Sequence, residues 1–299
     1  WPLADKRVVV AGSGPLLLAS AATLRRHGAQ VLGIHEQASR SALARFALQL
    51  PRWPGKAVQA AMLQLQLTGA GYHAGSVVVA AHGDTRLREV EIEGPHGRYT
   101  IACDQLAVGY GLVPNTELAQ LLGCRLTHTG VHPQVAVDAQ LRTSVPNIFA
   151  AGEALGIGGR DSALIEGALA GHMAADVPKA AAALQRRRKR ARAFATQLQH
   201  TFALDARVHG LAQDTTLVCR CEDVPLGALR DFSDRRDAKL TSRCGMGACQ
   251  GRICGTALAE LGLGNAESST DGGRRPPLFP VRLAALADSF TDDSQGIHP

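Results

Sequence analysis

The stretch VVVAGSGPLLLASAATLRRHG, residues 8–28, places an apolar β-branched run before two glycines and an Ala/Leu-rich segment. The first part predicts a buried strand, residues 12–15 a turn, and residues 16–27 a helix that Gly28 ends. A second strand is predicted over residues 30–36. Strand, helix and strand in this order indicate a βαβ unit with a parallel sheet, and therefore an α/β fold.

The turn inside this unit has the spacing of a dinucleotide fingerprint. Gly12 makes the turn, and Gly14 lets the backbone approach a pyrophosphate at the helix N-terminus. Glu36 lies 22 residues after Gly14, where an acid accepts a hydrogen bond from a ribose hydroxyl. Leu17 occupies the third position, which is usually glycine. We therefore predict a Rossmann-like domain, and leave open whether it binds NAD(P), another adenine nucleotide or nothing.

The remaining chain alternates helical and extended patterns. Pro51 and Pro54 interrupt a helical stretch, and a Gly-Pro-His-Gly turn at 94–97 suggests an antiparallel meander. The other predicted elements are strands over residues 76–81, 86–93, 99–103, 104–108 and 147–153, and helices over 39–70, 162–175 and 180–204. The predicted domains are residues 1–104, 105–178, 179–213 (a basic linker helix), 214–262 and an extended tail, 263–299.

Composition limits the function classes. The 299 residues are 45% hydrophobic, with seven cysteines and a formal net charge of +6. Residues 186–192 hold six cations in a helical context, which favours a solvated helix face over nucleic-acid binding. No apolar run is long enough to span a membrane, and the odd cysteine number favours a reducing compartment. We expect a cytoplasmic protein without a nucleic-acid partner, and leave peripheral inner-membrane association open.

Four cysteines in two close pairs carry the main chemical signal: Cys219-Arg-Cys221 and Cys249-Gln-Gly-Arg-Ile-Cys254. Thiolates at such spacings bind zinc or an iron–sulfur cluster. Zinc sites favour C-x2-C pairs, and C-x-C followed by C-x4-C is less usual there. On spacing alone, zinc, an iron–sulfur cluster and a metal-free remnant all stay open. Cys244 is a fifth nearby thiol, which we interpret as a buried small residue in preference to a ligand.

Two strings resemble known cofactor motifs. Residues 143–153 resemble the second flavin motif of two-dinucleotide-domain flavoproteins, which implies that the acid after Gly152, here Glu153, contacts the ribityl chain of FAD. The helix near residues 161–163 would face the flavin pyrimidine edge. The first FAD motif of such proteins is not found before Lys6, so the resemblance implies a longer natural N-terminus.

The cysteine string, residues 218–254, resembles the ferredoxin-like module of bacterioferritin-associated ferredoxin, a small all-α fold. That resemblance implies a [2Fe-2S] cluster on Cys219, Cys221, Cys249 and Cys254. Residues 12–19, 53–56 and 275–278 also match. Together, these features resemble the α (A) subunit of heteromeric FAD-dependent amine and amino-acid dehydrogenases. This group includes opine oxidases, hydrogen cyanide synthase and dye-linked proline or hydroxyproline dehydrogenases.

The resemblance implies an electron-handling oxidoreductase subunit with FAD and a [2Fe-2S] cluster. A β-type partner with its own flavin would oxidise an amine or amino acid, so substrate contacts would lie mainly on that partner. No catalytic residue of this chain is assigned. Two alternatives remain open: an NAD(P)H-linked diaphorase that uses the Gly12/Gly14 turn, and a zinc- or cluster-stabilised non-catalytic scaffold.

Overall fold

The computed structural model describes residues 3–128, 130–263, 278–279, 281–285 and 287, and describes no side chains for 178–180. The chain forms two compact units. Unit 1 comprises Trp1–Val113, Ile157–Glu166 and Lys179–Ala212, and unit 2 comprises Pro114–Gly156, Gly167–Pro178 and Gln213–Pro299. The five predicted domains and the boundaries between them stay predictions. The predicted tail lies mostly outside the described residues, including all of 264–277.

The elements of the first 109 residues are β1 (Arg7–Gly12), α1 (Leu16–Arg26), β2 (Gln30–Glu36), α2 (Arg40–Gln49), α3 (Pro54–Gln66), β3 (Gly71–Ala74), β4 (Val77–Gly83), β5 (Leu87–Gly94), β6 (Gly97–Ala102) and β7 (Gln105–Gly109). The later elements are α4 (Glu117–Leu121), β8 (Leu126–Thr127), β9 (Gln134–Val135), α5 (Gly159–Ala174), α6 (Pro178–Thr201), α7 (Ala206–His209), β10 (Leu217–Cys219), β11 (Val224–Pro225), α8 (Arg235–Ser242) and α9 (Arg252–Glu260). Short 3₁₀ helices cover Leu50–Arg52, Gly152–Leu155 and Leu226–Leu229.

Unit 1 is built on a parallel sheet in the order β3-β2-β1-β7. Strand β1 pairs with β2 on one side and with β7 on the other. Strands β4, β5 and β6 form the predicted antiparallel meander. The Rossmann-like sheet and the interruption of the helical stretch by a 3₁₀ turn are confirmed. Strand β3 was not predicted, because its sequence, Gly-Tyr-His-Ala, carries no apolar run.

Side chains of alternate residues of β1 pack into two hydrophobic cores on opposite faces of the sheet, because successive side chains of a strand point to opposite faces. One buried cluster comprises Val8, Val10, Leu17, Ala21, Ala22, Ala29, Ile34 and Leu67. The other comprises Val9, Ala11, Val78, Val90, Ile92 and Cys103. Helix α1 therefore covers one face and the meander covers the other, which leaves the glycine turn at the carboxyl end of β1.

A buried histidine on β2 gives unit 1 a pH-dependent stability. His35 is fully buried and stacks on His73 with ring centroids 4.8 Å apart. Burial, and then the charge of His73, lowers the pKa of His35 from 6.5 to about 4. The folded state disfavours the protonated ring. Above pH 6.5 His35 is neutral in both the folded and the unfolded chain, so it causes no loss of stability. As the pH falls from 6.5 towards 4, only the unfolded chain binds the proton, and the free energy of unfolding decreases progressively.

The His35→Gln variant is expected to show a weaker loss of stability between pH 7 and pH 4 than the unmodified chain. The difference at the acid end should approach about 3 kcal/mol, because each unit of pKa shift corresponds to about 1.4 kcal/mol. Urea unfolding at several pH values measures it. The His82→Gln variant is the control, because that side chain is 52% exposed. Equal pH dependence in both variants would contradict the prediction.

The basic helix is less solvated than its sequence predicts. Glu166 is fully buried and accepts hydrogen bonds from Arg188 at 2.9 Å and from Arg192 at 2.7 Å. Arg190 donates to the carbonyl of Arg52 at 2.6 Å. These contacts join α6 to α5 and to the turn before α3. The prediction of a single helix is confirmed. The prediction of a solvated helix face is wrong for three of its arginines, which bind neighbouring elements through hydrogen bonds.

Unit 2 contains one clear departure from the sequence prediction. Residues 147–153 do not form a buried strand: Asn147 has a left-handed φ of 62°, and Phe149 makes a single antiparallel bridge to Arg142. Gly152, with φ 77°, then opens a 3₁₀ helix. The apolar run suits a central strand, but residues 141–143 are its only pairing segment among the described residues. No described helix combines the length and the apolar character that a membrane span requires.

Candidate functional site

Three cysteine thiols converge in unit 2. Cys219 ends β10, Cys244 follows α8, and Cys254 lies in the first turn of α9. All three are buried, and their sulfur atoms lie within 4.8 Å of one another. The sequence predicted Cys219 and Cys254 as ligands, and the structure brings them together. It adds Cys244, which the C-x-C and C-x4-C spacings do not indicate.

The other two predicted ligands form a second pair. The thiol of Cys221 lies within hydrogen-bonding reach of the thiol of Cys249, whereas that of Cys254 contacts both Cys244 and Cys219. All of these cysteines are free. Cys221 is exposed and Cys249 is partly buried, so this pair lies nearer solvent. The buried cluster and the pair nearer solvent each contain one predicted ligand from each sequence motif.

The backbone between α8 and α9 folds tightly because several residues take left-handed conformations. Arg243, Gly245, Gln250 and Gly251 have φ values of 64°, 87°, 50° and 79°. A Cβ on Gly245 would lie 3.6 Å from the Cα of Gly251. This close approach brings Cys244 near Cys254 although ten residues separate them in sequence.

Backbone donors and burial make the thiols unequal. The N–H of Ile253, and then that of Gly251, donate to Cys249 and lower the pKa of its thiol. The hydrogen bond with Cys244, and then burial, raise the pKa of Cys254. Sulfur donors of this kind suit zinc or an iron–sulfur cluster. Cys219 with Cys254, and Cys221 with Cys249, could each supply two thiolates to one of two irons, whereas the three buried thiols around one point leave zinc as an alternative.

Glycine is required at position 247, beside the exposed Cys221. A Cβ on Gly247 would lie 2.2 Å from the Cβ of Cys221, closer than real atoms approach. We expect Gly247→Ala to displace Cys221 and to lower the metal content per chain at least about twofold, because metal ligation tolerates little displacement of a ligand. Metal analysis after anaerobic purification measures this. Gly167→Ala is the control, because a Cβ there meets nothing within 4 Å; equal metal content in both variants would contradict the prediction.

The predicted dinucleotide residues also come together, in unit 1. A Cβ on Gly12 would lie 2.1 Å from the carbonyl oxygen of Gly109, so β7 approaches the turn too closely for any side chain. The Gly14 N–H donates to the Glu36 carboxylate at 2.7 Å. Glu36 is fully buried, and burial raises the pKa of its carboxyl group although Ala38 and Gly14 also donate to it.

The flavin-motif residues lie in unit 2. Gly152 begins the 3₁₀ helix and Glu153 is exposed in its first turn. The sequence predicted Glu153 at the end of a strand, and this prediction is wrong, because Glu153 lies in a 3₁₀ helix. The helix predicted over residues 162–175 does form, and runs from Gly159 to Ala174 as α5. Its N-terminal turn belongs to unit 1.

A cavity of about 440 Å³ lies at the N-terminus of α5, within unit 1. Trp53 and Phe194 line it with aromatic rings 5.3 Å apart. Lys56 pairs with Asp161 at 2.7 Å. The Ser162 hydroxyl is buried and has no hydrogen-bond partner among the described residues. The remaining cations of the lining are Arg187 and Arg190. Sequence reasoning missed this cavity, although residues 53–56 were singled out.

A parallel sheet with a glycine turn after β1, an antiparallel meander and a small thiol-rich module define a dinucleotide-binding oxidoreductase fold. The chain belongs to the pyridine nucleotide-disulphide oxidoreductase family, whose model matches residues 2–180. The fold class predicted from the sequence is thereby confirmed.

Individual relatives agree with the resemblance. The chain is 31% identical to the A subunit of opine oxidase from Rhizobium meliloti, over 94% of this chain and 66% of that protein. It is 30% identical to hydrogen cyanide synthase subunit HcnB of Pseudomonas aeruginosa, over 94% of this chain and 65% of that one. The chain thus spans about two thirds of their length. The predicted relationship to these subunits is confirmed.

One solved structure shares the fold. The L-proline dehydrogenase from P. horikoshii superposes with a TM-score of 0.59 at 17% identity, over 94% of this chain and 50% of that chain. At this identity the similarity concerns the fold alone.

Proposed function

We propose that this chain is an electron-transfer subunit of an FAD- and [2Fe-2S]-dependent amine or amino-acid dehydrogenase. The observations that support the proposal are the convergence of the buried Cys219 and Cys254 thiols and the contact between the Cys221 and Cys249 thiols. Each iron of a [2Fe-2S] cluster takes two thiolates, and the two pairs supply them. Cys244 remains beside the buried pair as a hydrogen-bonding thiol.

The cluster residues have complementary settings. Cys219 and Cys254 exclude water by burial, while the N–H groups of Ile253 and Gly251 stabilise a thiolate on Cys249. Hydrogen bonds to sulfur and solvent exposure set the reduction potential of such clusters. When bound, a [2Fe-2S] cluster would carry single electrons and FAD would exchange them in ones or twos.

Flavin binding is supported by the cavity at the N-terminus of α5. The pyrimidine ring of a flavin carries carbonyl oxygens, and the unpartnered Ser162 hydroxyl would donate to one of them. The N-terminal N–H groups of α5 favour the partial negative charge on that edge of the ring. Trp53 and Phe194 offer apolar surface to a planar ligand. Glu153 is the residue that the motif resemblance assigns to the ribityl chain, and that role stays a prediction.

The partner proposed is a β-type flavin subunit that oxidises the C–N bond of an amine or imino acid. The relatives support it, since both are named as subunits of larger enzymes. This chain would then accept electrons from the partner and pass them to an acceptor. We propose a cytoplasmic location for the assembly.

Two other functions remain distinguishable. An NAD(P)H-linked diaphorase would use the Gly12/Gly14 turn, and a zinc-stabilised scaffold would use the thiols without electron transfer. The three clustered thiols favour zinc only if Cys244 is a ligand.

The native complex, isolated through an affinity tag on this chain, tests the proposal. Under anaerobic conditions, an amine, an amino acid or an imino acid such as proline is expected to bleach the flavin absorbance. Bleaching by NADH or NADPH, with no response to any amine, would overturn the proposal in favour of the diaphorase. A colourless zinc protein would favour the scaffold.

A further inference from the structure

We propose that the Gly12/Gly14 turn binds a segment of its own chain, residues 202–207, and that this segment closes the turn to pyridine dinucleotides. We call it the closing segment; it follows α6 and enters α7. The inference goes beyond the proposed function, because it concerns neither the flavin nor the thiols.

Three consecutive positions of the turn, residues 13–15, have no free N–H group for a pyrophosphate. The N–H of Ser13 donates to the carbonyl of Gly109 at 2.8 Å, and that of Gly14 donates to Glu36 at 2.7 Å. Pro15 follows and has no N–H. Dinucleotide sites hold the pyrophosphate through backbone N–H groups at this turn. Three consecutive positions are therefore unable to serve it.

The acid that would hold a ribose is also occupied. One carboxylate oxygen of Glu36 accepts from Gly14, and the other accepts from the N–H of Ala38 at 2.9 Å. The Tyr72 hydroxyl lies 3.4 Å from the first oxygen. The carboxylate of Glu36 thus joins the turn to the end of β2. Because Glu36 has no exposed surface, its carboxylate is not accessible to a ribose hydroxyl.

The closing segment lies directly on the turn. The Phe202 ring is 3.7 Å from the position that a Cβ of Gly14 would take, and the Ser13 hydroxyl donates to the Phe202 carbonyl at 2.9 Å. Gln37 donates to the Ala203 carbonyl at 2.8 Å and accepts from the Asp205 N–H at 3.1 Å. These contacts cover the surface where a dinucleotide crosses the carboxyl end of β1.

The far end of the closing segment is anchored separately. Asp205 accepts from the Arg207 N–H at 2.9 Å and caps α7. Arg207 donates to the carbonyl of Gly75 at 3.3 Å and lies 3.8 Å from Glu93. The segment is thus held by the turn after β1, by the end of β2 and by the meander, and its release requires several contacts to break together.

Two measurements on the full chain test the inference. In equilibrium titrations with NADH and with NADPH, we expect no saturable binding below about 1 mM, with a known NADH-dependent dehydrogenase as positive control. Saturable binding at micromolar concentration would overturn the inference.

Hydrogen–deuterium exchange tests the clamp itself. Gln37→Ala and, separately, Phe202→Ala should raise the exchange rate of amides in residues 202–207 at least about tenfold, because each removes contacts that hold the segment. Gln199→Ala is the matched control, since that side chain is exposed on α6. Exchange rates equal to the control in both variants would overturn the inference.

Discussion

The Cys219→Ser variant is expected to lose at least about nine tenths of its iron, because a cluster that lacks one of four thiolates is rarely retained. Cys219 is buried and its sulfur lies within 4.8 Å of those of Cys244 and Cys254. Serine has nearly the same volume, so the backbone is not displaced. Iron and sulfide per chain, with the visible spectrum, measure the effect.

Three further cysteine-to-serine variants accompany it. Cys124→Ser changes a buried thiol remote in sequence from both motifs and should keep its full iron content. Cys244→Ser should also keep about two irons, because the proposed ligand pairs do not include it. Loss of iron in Cys244→Ser, with retention in Cys221→Ser, would show that the three buried thiols form the site and would contradict the proposed ligand set.

The Glu166→Ala variant is expected to lower the free energy of unfolding by about 3 kcal/mol, because it leaves two guanidinium groups without their buried partner. The Arg188 and Arg192 side chains are 20% and 25% exposed, and Glu166 has no exposure. Arginine cannot lose its charge to relieve this cost. Chemical denaturation followed by circular dichroism measures it.

The control for this prediction is Asp84→Ala. Asp84 and Arg88 are 86% and 72% exposed and lie 3.8 Å apart, so this change should alter stability by no more than about 0.5 kcal/mol. If Glu166→Ala lowers the free energy of unfolding no more than the control does, the arginines are solvated, as the sequence predicted. The contact between α5 and α6 would then not contribute to stability.

Local pattern predicted most of unit 1. The β-branched run at residues 8–11, the helix that Gly28 ends and the meander all formed, because each element has a strong period and a clear stop signal. Strand β3 escaped prediction, since it is ordered by pairing with β2 and not by its own sequence. The prediction of a buried strand over residues 147–153 was wrong because its apolar sequence favours a strand, but the described residues provide no sheet for it to join.

For the candidate sites, too, the features set by local sequence were predicted and those set by contacts between distant residues were not. Spacing alone identified the two cysteine motifs, because ligand pairs are short-range features. The position of Cys244 depends on the left-handed turn at Arg243 and Gly245, which composition does not specify. The occupation of the dinucleotide turn by residues 202–207 brings together positions 189 apart, such as Ser13 and Phe202, and no local pattern reports such a contact.

One measurement tests the central claim most directly: iron, sulfide and zinc determined on the same anaerobically purified sample, with electron paramagnetic resonance after dithionite reduction. We expect about two irons and two sulfides per chain, little zinc and a signal from one unpaired electron after reduction. One zinc per chain, without colour or signal, would contradict the electron-transfer role and leave a zinc-stabilised module on a dinucleotide-binding fold.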